Sequence, residues 1–178
     1  MLMHNGRLSN PFDEYTRAMK AISNKRKKTD EDLAELAQIE ARGGMYETED
    51  GLLGLPCANV WRCIWDAAKA YKLGADVKRA LLATPDVSPL TIDGSHQKCE
   101  TYLSEREDRL LYVPVKLSGR VMRARAVIPA GWEADISFTI LTDILQTELL
   151  VPVLERAGRV GGVGDWRPVY GTFKAEVI

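Results

Sequence analysis

Four segments of the chain alternate apolar and polar residues, and this period of two is the feature that most constrains the fold. The apolar positions are Leu111, Val113, Val115 and Leu117; Met122, Ala124, Ala126 and Ile128; Trp132, Ala134, Ile136, Phe138 and Ile140; and Phe173, Ala175 and Val177. Successive side chains of a strand point to opposite sides of its sheet, so each segment predicts a strand with one apolar face. Together they predict an antiparallel sheet whose apolar face is covered by helices.

The other face of this sheet is predicted to be polar, basic at its centre and uncovered. Its side chains would include Tyr112, Lys116, Arg123, Arg125 and Lys174. The alternative is that Arg123 and Arg125 form ion pairs with Asp135 and Glu133 on an adjacent strand, where surface pairs contribute little.

Two segments with helical periodicity are predicted to cover the apolar face. In residues 57–73, Trp61 and Trp65 recur with other apolar residues at helical spacing, so both tryptophans are predicted to lie in the core. Residues 146–157 form the second helix, and Gly158 ends it. Pro152 costs about 3 kcal/mol in a helix interior, so this second helix either kinks or begins late.

A strongly polar segment, residues 12–44, is predicted to form a helical arm that is inserted in the domain or protrudes from it. Residues 12–24 and 30–42 are the two predicted helices, and Thr29 followed by acidic residues is a favourable N-cap. The helices are joined by a basic loop of Lys25, Arg26, Lys27 and Lys28. The alternative to a binding role for this loop is a solvated connection between two charged helices.

The length and the order of these elements predict one domain over residues 1–178. The chain has 178 residues, 46% of them apolar, which is sufficient for one well-buried core but not for two. The order is strand, inserted arm, helix, strands, helix, glycine-rich loop, strand. It predicts an α+β fold, specifically a ferredoxin-like or RRM-like antiparallel sheet with two helices packed on one face. Such a sheet with an open face is a platform for single-stranded nucleic acid.

Charge and cysteine content exclude several functional classes. The formal net charge is −1, so attraction to nucleic acid has to come from local patches. Three cysteines at these spacings predict neither a disulfide framework nor a zinc motif, and no apolar run approaches the roughly 20 residues of a membrane helix. We therefore expect a cytoplasmic protein with no metal, no cofactor and no membrane contact.

Residues 159–173 form a glycine-rich loop, called here the glycine loop, between the last predicted helix and strand. Its central residues are Gly162, Gly164, Trp166, Arg167, Tyr170 and Gly171. Glycine permits close backbone approach and positive φ, turn amides converge on anions, and an arginine beside an aromatic ring suits phosphate and base. This pattern predicts a nucleic-acid site. The alternative is a tight helix-to-strand connection with a buried tryptophan.

Two motifs resemble the RAMP superfamily, which includes the CRISPR backbone subunits that hold guide RNA. Residues 55–61, Leu-Pro-Cys-Ala-Asn-Val-Trp, resemble the family's Ile-Pro-Gly-Ser-Ser-Leu-Lys-Gly segment, with Cys-Ala-Asn in place of Gly-Ser-Ser. Residues 162–173 resemble the family's glycine-rich loop, with Phe173 in place of the last glycine. The resemblance covers about residues 50–178. The Lys-Arg-Lys-Lys-Thr-Asp and Gly-Asp-Trp-Arg-Pro segments are also similar to those of a group of small phage-encoded proteins.

The resemblance implies a protein that binds single-stranded RNA or DNA, RNA slightly before DNA, without chemistry of its own. It implies phosphate contacts from the amides around Gly162 and Gly164, a bidentate phosphate contact from Arg167, and base stacking on Trp166 or Tyr170. The basic loop would act as a flexible clamp. Such subunits polymerise along the strand, so a homo-oligomer or filament is expected.

Two alternatives belong to other functional classes. The first is an interaction protein, a phage factor that mimics or caps a host CRISPR complex and therefore binds a host or phage protein. The second is a metal-independent endoribonuclease, because RAMP relatives use histidine or tyrosine to cleave RNA and His4 lies where it could reach the glycine loop. His4 and His96 are the only histidines and are far apart in sequence, so we assign no catalytic residue.

Overall fold

A computed structural model of the chain describes residues 1–84, 86–116 and 120–178, with Lys116 and Arg120 described by their backbone alone. The described residues form an α+β structure, as predicted. The helices are α1 (Glu14–Ser23), α2 (Asp30–Gly43), α3 (Cys57–Ala68), α4 (Gly74–Ala80), α5 (Cys99–Tyr102) and α6 (Leu150–Arg156). The strands are β1 (Leu2–Met3), β2 (Gly54–Pro56), β3 (Leu81–Ala83), β4 (Val87–Pro89), β5 (Thr91–Ile92), β6 (Ser95–His96), β7 (Leu110–Lys116), β8 (Arg120–Val127) and β9 (Phe138–Ile140).

The central sheet is antiparallel and has the strand order β1-β8-β7. The other strands described form two-stranded antiparallel pairs, β2 with β4, β3 with β9 and β5 with β6. The ferredoxin-like sheet predicted from the sequence is therefore not present as four paired strands in the described residues.

The register of β7 and β8 places their predicted apolar positions on opposite faces of the central sheet. Leu111 pairs with Arg125, and Val113 pairs with Arg123, and residues directly opposite each other share a face. The prediction of one apolar and one basic face is wrong. Near Ala124 and Ala126 both sides of β8 are buried, so the alternation in this strand does not mark a solvent-exposed face.

Helix α2 packs against β8 and covers the face that the sequence predicted to be open. The buried residues of α2 are Ala37, Glu40, Ala41 and Gly43. Glu40 is hydrogen-bonded to Arg125 on that face. The side of β8 that carries Arg125 is therefore covered by α2, and the prediction that it is uncovered is wrong.

The helical pair α1 and α2 begins and ends close to the predicted positions. Asp13 caps α1 by accepting from the Tyr15 N–H. Thr29 and Asp32 form a reciprocal capping box at the start of α2, with each side chain accepting from the other's backbone N–H. The local sequence therefore indicates where these helices begin.

The predicted third and fourth strands differ most from the structure. Of residues 132–140, only β9 is a strand, and it pairs with β3 outside the central sheet. Residues 173–177 form no strand. Instead the Phe173 N–H donates to Gly158 O, the Phe173 ring lies 6.3 Å from that of Trp132, and the residues after it turn into solvent, where Val177 is 61% exposed.

Helix α6 begins late, one of the two outcomes that the position of Pro152 allowed. A 3-10 turn, Thr147–Leu149, precedes it, and Pro152 is the third residue of the α-helix. The N–H groups of the first turn have no intrahelical acceptor, so proline costs little there. A π-helical turn, Ala157–Gly161, extends α6 into the glycine loop. Within the described ranges, no helix has the length and apolar character needed to cross a membrane.

Candidate nucleic-acid interface

The glycine loop lies against β1, and Gly164 makes this contact possible. Asp165 pairs with Leu2, and its N–H donates to Leu2 O at 2.8 Å. Gly164 has φ +86°, and a Cβ at this position would clash with the Leu2 carbonyl oxygen. The glycine is therefore required by the close approach of two backbone segments.

Two other glycines of the pattern, Gly162 and Gly171, close the loop on itself. The Val163 N–H donates to Gly171 O, and the Gly162 N–H donates to Ala157 O, both at 2.8 Å. The Gly162 amide, one of those expected to contact phosphate, already has an intramolecular acceptor. Gly162 and Gly171 serve packing, as the alternative of a tight connection proposed.

The remaining predicted residues of the loop lie on its outer side. Trp166 is 38% exposed, so it is not the buried tryptophan of the tight-connection alternative, and its backbone N–H donates to Asp165 Oδ1. Arg167 is exposed and is joined to Pro168 by a cis peptide bond. Tyr170 is half-buried, and its N–H donates to Trp166 O.

Two clefts meet at the glycine loop. The large cleft, of about 590 Å³, separates the loop from α3 and is lined by Cys63 and Asp66 together with Trp166. The small cleft, of about 200 Å³, is lined by His4, Tyr46, Asn59 and Arg62. Gly164, Asp165 and Arg167 line both clefts. The two clefts therefore form adjoining depressions on either side of Arg167.

Helix α3 also contributes side chains to this site, which the sequence did not predict. Asn59, Arg62 and Asp66 recur at helical spacing on the polar side of the helix and face the glycine loop across the clefts. The spacing of these polar residues was the available signal. The expectation that His4 reaches the glycine loop is confirmed, since His4 lines the small cleft with Gly164. His96 lies in the β5–β6 hairpin, where Nδ1 is 3.1 Å from Leu90 O.

Arg125, predicted to lie on an open basic face, is buried in an ion-pair network. Its Nη1 lies 3.1 Å from Glu40 Oε1, and its Nε lies 2.8 Å from Asp165 Oδ2. The predicted position of Arg125 on an open face is therefore wrong, and so is its alternative pairing with residues of an adjacent strand. Arg123 is partly exposed, and its Nη1 lies 3.4 Å from the same Glu40 oxygen. This ion pair makes Arg123 less available for contact with a phosphate.

The ionisation of the groups around the clefts follows from these contacts. Burial alone would raise the pKa of Asp165, but hydrogen bonds from Arg125 and the Trp166 N–H outweigh it and lower the pKa. Partial burial and the nearby Arg125 guanidinium lower the pKa of His4, which keeps the imidazole neutral at pH 7. Burial raises the pKa of Cys63 to about 11, so its thiol is not a nucleophile.

The other predicted basic residues lie outside the clefts as far as the structure describes them. The basic loop of residues 25–28 is exposed between α1 and α2, and Lys25 Nζ lies 2.5 Å from Asp32 Oδ1. Lys28 Nζ donates to Lys25 O at 3.1 Å. Lys174 is exposed beyond the glycine loop. The side chain of Lys116 is outside the described part of the structure.

Comparison with known proteins finds no matching family model, no similar curated protein and no similar solved structure. In the ranges that the structure describes, no three histidine, cysteine or carboxylate side chains converge as ligands for a metal ion.

Proposed function

We propose that the protein binds single-stranded nucleic acid, RNA slightly before DNA, in the two clefts that meet at the glycine loop. One observation carries the proposal: Arg62 of α3 and Arg167 of the glycine loop both line the small cleft, and the exposed Trp166 lines the large cleft together with Arg167. Two guanidinium groups suit phosphate oxygens, and an exposed indole suits an unstacked base.

The acidic residues in the clefts do not oppose a phosphate strongly. Asp165 is bonded to the buried Arg125 and to its own loop, so its charge is compensated within the protein. Asp66 is paired with Arg62 at 3.1 Å on the surface. Exposed pairs of this kind contribute about 0 to 1 kcal/mol, so a phosphate can replace the Asp66 carboxylate as the partner of Arg62.

The same contacts support a RAMP-like, ferredoxin-like arrangement as the finer description of the fold. The Leu2–Asp165 bridge places the segment after α6 beside β1, on the side away from β8. With this segment as a fourth strand position, the chain follows the order strand, helix, two strands, helix, strand, with α1 and α2 inserted after β1. We also propose that several copies of the protein coat one strand.

The proposal is tested by fluorescence anisotropy of labelled single-stranded RNA and DNA of about 30 nucleotides, with light scattering on the same samples. Arg167→Ala should weaken binding about tenfold and reduce the salt dependence, because one phosphate contact is lost. Arg106→Ala is the matched control, since Arg106 is exposed and paired with Asp108 at 2.6 Å. It removes the same charge away from the clefts and should leave the affinity unchanged.

Three results decide between the hypotheses. Salt-sensitive binding that Arg167→Ala weakens and Arg106→Ala does not supports the proposal. Binding that both variants leave unchanged removes the clefts from the mechanism. If wild-type protein binds neither strand at low salt, nucleic-acid binding is excluded, and co-purification of a host or phage protein becomes the test of the interaction-protein hypothesis.

A second candidate function, a metal-independent endoribonuclease, is favoured by the position of His4. Its imidazole lines the small cleft with Arg62 and Arg167, and its lowered pKa leaves it neutral at pH 7. A neutral imidazole can accept the proton of a ribose 2′-hydroxyl. The 2′-oxygen forms a bond to the adjacent phosphorus while the bond from phosphorus to the 5′-oxygen breaks, which leaves a cyclic phosphate and a 5′-hydroxyl that takes its proton from the imidazolium or from water. The two guanidinium groups would stabilise the negative charge on the phosphate during this step.

This second function is tested by incubating the protein with labelled RNA in EDTA. His4→Ala should abolish cleavage, and His96→Ala should not, because His96 lies in a separate hairpin bonded to Leu90. DNA of the same sequence should remain intact, since it lacks the attacking hydroxyl. Cleavage that persists in His4→Ala, or that also occurs on DNA, would assign the activity to a contaminant or to other residues.

A further inference from the structure

The outer surface of α3 carries a group of cations gathered around one indole ring. The ring of Trp65 has Lys69 Nζ at 3.9 Å, the Arg62 guanidinium carbon at 4.5 Å and Lys78 Nζ at 5.7 Å from its centroid. Trp65 was predicted to lie in the core, but its side chain is only partly buried. We call these four residues the Trp65 cluster.

Trp61 holds the Trp65 cluster in place. Trp61 stacks on Trp65, with ring centroids 5.8 Å apart, and its Nε1 donates to Leu81 O at 2.7 Å. This hydrogen bond anchors both rings to β3. Because cations are attracted to the face of an indole, the rings keep Arg62, Lys69 and Lys78 near one another despite their mutual repulsion.

The charges of the Trp65 cluster are only partly neutralised. One carboxylate outside the cluster, Asp66, pairs with two of its cations, at 2.7 Å from Lys69 Nζ and 3.1 Å from Arg62 Nε. Three cations against one carboxylate leave two positive charges in excess. Arg62 and Lys69 remain 57% and 51% exposed, so both are accessible to a ligand.

The Trp65 cluster is continuous with the clefts at the glycine loop. Arg62 lines the small cleft and Asp66 lines the large one, and both belong to the same exposed side of α3. We propose that Arg62, Lys69 and Lys78 form a second contact site for the phosphates of the strand bound in the clefts. This inference rests on the proposed function and extends the bound strand from the glycine loop across α3 to α4.

The test compares two lengths of single-stranded RNA, about six and about 24 nucleotides, by fluorescence anisotropy. The variant is Lys69→Gln with Lys78→Gln. The control is Arg79→Gln with Lys98→Gln, which removes two charges as well. Arg79 is next to Lys78 but is paired with Asp76 at 2.8 Å, and Lys98 is an exposed residue before α5.

We expect the Lys69 and Lys78 variant to bind the long RNA about tenfold more weakly and the short RNA as wild type does. Its salt slope with the long RNA should fall by about 0.7 for each lost phosphate contact, and the control should show neither change. The inference is overturned if the variant and the control behave alike, or if the variant weakens short and long RNA equally.

Failure of the inference is distinguishable from failure of the proposed function. If the short RNA binds and Arg167→Ala weakens it, the clefts are the site whatever the Trp65 cluster does. If neither RNA binds to wild-type protein, both proposals fail. If the Lys69 and Lys78 variant loses binding to heparin alone and retains the long RNA, the Trp65 cluster binds another polyanion and the inference is wrong.

Discussion

Arg125 Nε donates a 2.8 Å hydrogen bond to Asp165 Oδ2, and this bond joins the central sheet to the glycine loop. Glu40 of α2 holds the same guanidinium from another side. The arginine thus fixes the position of three segments that are distant in sequence. Arg167 follows Asp165 by two residues, so the buried arginine determines where the exposed one lies.

Glu40→Ala should destabilise the fold by about 2 to 4 kcal/mol. The Glu40 carboxylate pairs with buried Arg125 and accepts from the Ala124 N–H at 3.0 Å, so its removal leaves a buried donor unsatisfied and a buried charge partly unpaired. Glu35→Ala on the exposed side of α2 is the control and should change stability by about 0.5 kcal/mol or less. Urea unfolding of both variants measures the difference, and equal stabilities would contradict the structural role of Glu40.

Asp165 should make the stability of the protein depend on pH in the acid range. Its pKa in the folded state is below the ordinary value of 3.8, so its contribution is complete above that value and is lost as pH falls through the lowered pKa. We expect the difference in unfolding free energy between wild type and Asp165→Asn to be constant from about pH 7 to pH 5 and to shrink towards about pH 3. Asp143→Asn controls for the loss of an exposed carboxylate, and a difference for Asp165→Asn that does not change with pH would contradict the prediction.

Local signals in the sequence bear on where the helices α2 and α6 begin. Thr29 and Asp32 form the capping box that starts α2. Pro152 predicted either a kink or a late start for α6, and the late start is the one observed. Each of these features depends on residues within a few positions of one another. Capping and first-turn geometry therefore account for where these helices begin.

The register of the sheet and the burial of Arg125 could not be predicted in this way. Alternation identifies β7 and β8, but it does not say which residues pair, and the observed register sets Leu111 opposite Arg125. Glu40 is 85 positions from Arg125 in the chain, and no local pattern connects them. In the candidate site, the sequence identified the glycines, but it could not show that Gly164 lies against the Leu2 carbonyl and Gly171 against the Val163 carbonyl.

Gly164→Ala should destabilise the protein by about 2 kcal/mol more than Gly94→Ala. Both glycines have positive φ, +86° and +74°, which costs an alanine about 1 to 2 kcal/mol. Only at Gly164 would the new Cβ also meet the Leu2 carbonyl, whereas a Cβ at Gly94 meets open space, and overpacking costs about 1 to 3 kcal/mol. Chemical denaturation of both variants separates the two contributions, and equal losses would show that the approach of the loop to β1 is not tight.

The three cysteines should be unreactive in the folded protein. Cys57, Cys63 and Cys99 are all buried, and burial raises the pKa of Cys63 to about 11 and that of Cys99 to about 12. The thiolate is the reactive form, so labelling by dithiobis(nitrobenzoate) at about pH 8 should be about 100-fold slower than in urea-unfolded protein. Rapid labelling of one thiol under native conditions would show that the wall of the large cleft at Cys63, or another buried region, opens readily.

Trp166 should contribute base stacking to the affinity for single strands. Its ring is 38% exposed beside Arg167, and stacking of one base contributes about 1 to 3 kcal/mol. Trp166→Ala should therefore weaken binding by about 5- to 150-fold, while Trp166→Phe, which retains an aromatic face, should retain most of the affinity. Circular dichroism establishes that both variants are folded, and anisotropy with the same RNA measures the affinities. If alanine binds as tightly as phenylalanine, the strand contacts the clefts through phosphates alone, and the indole serves only the packing of the loop.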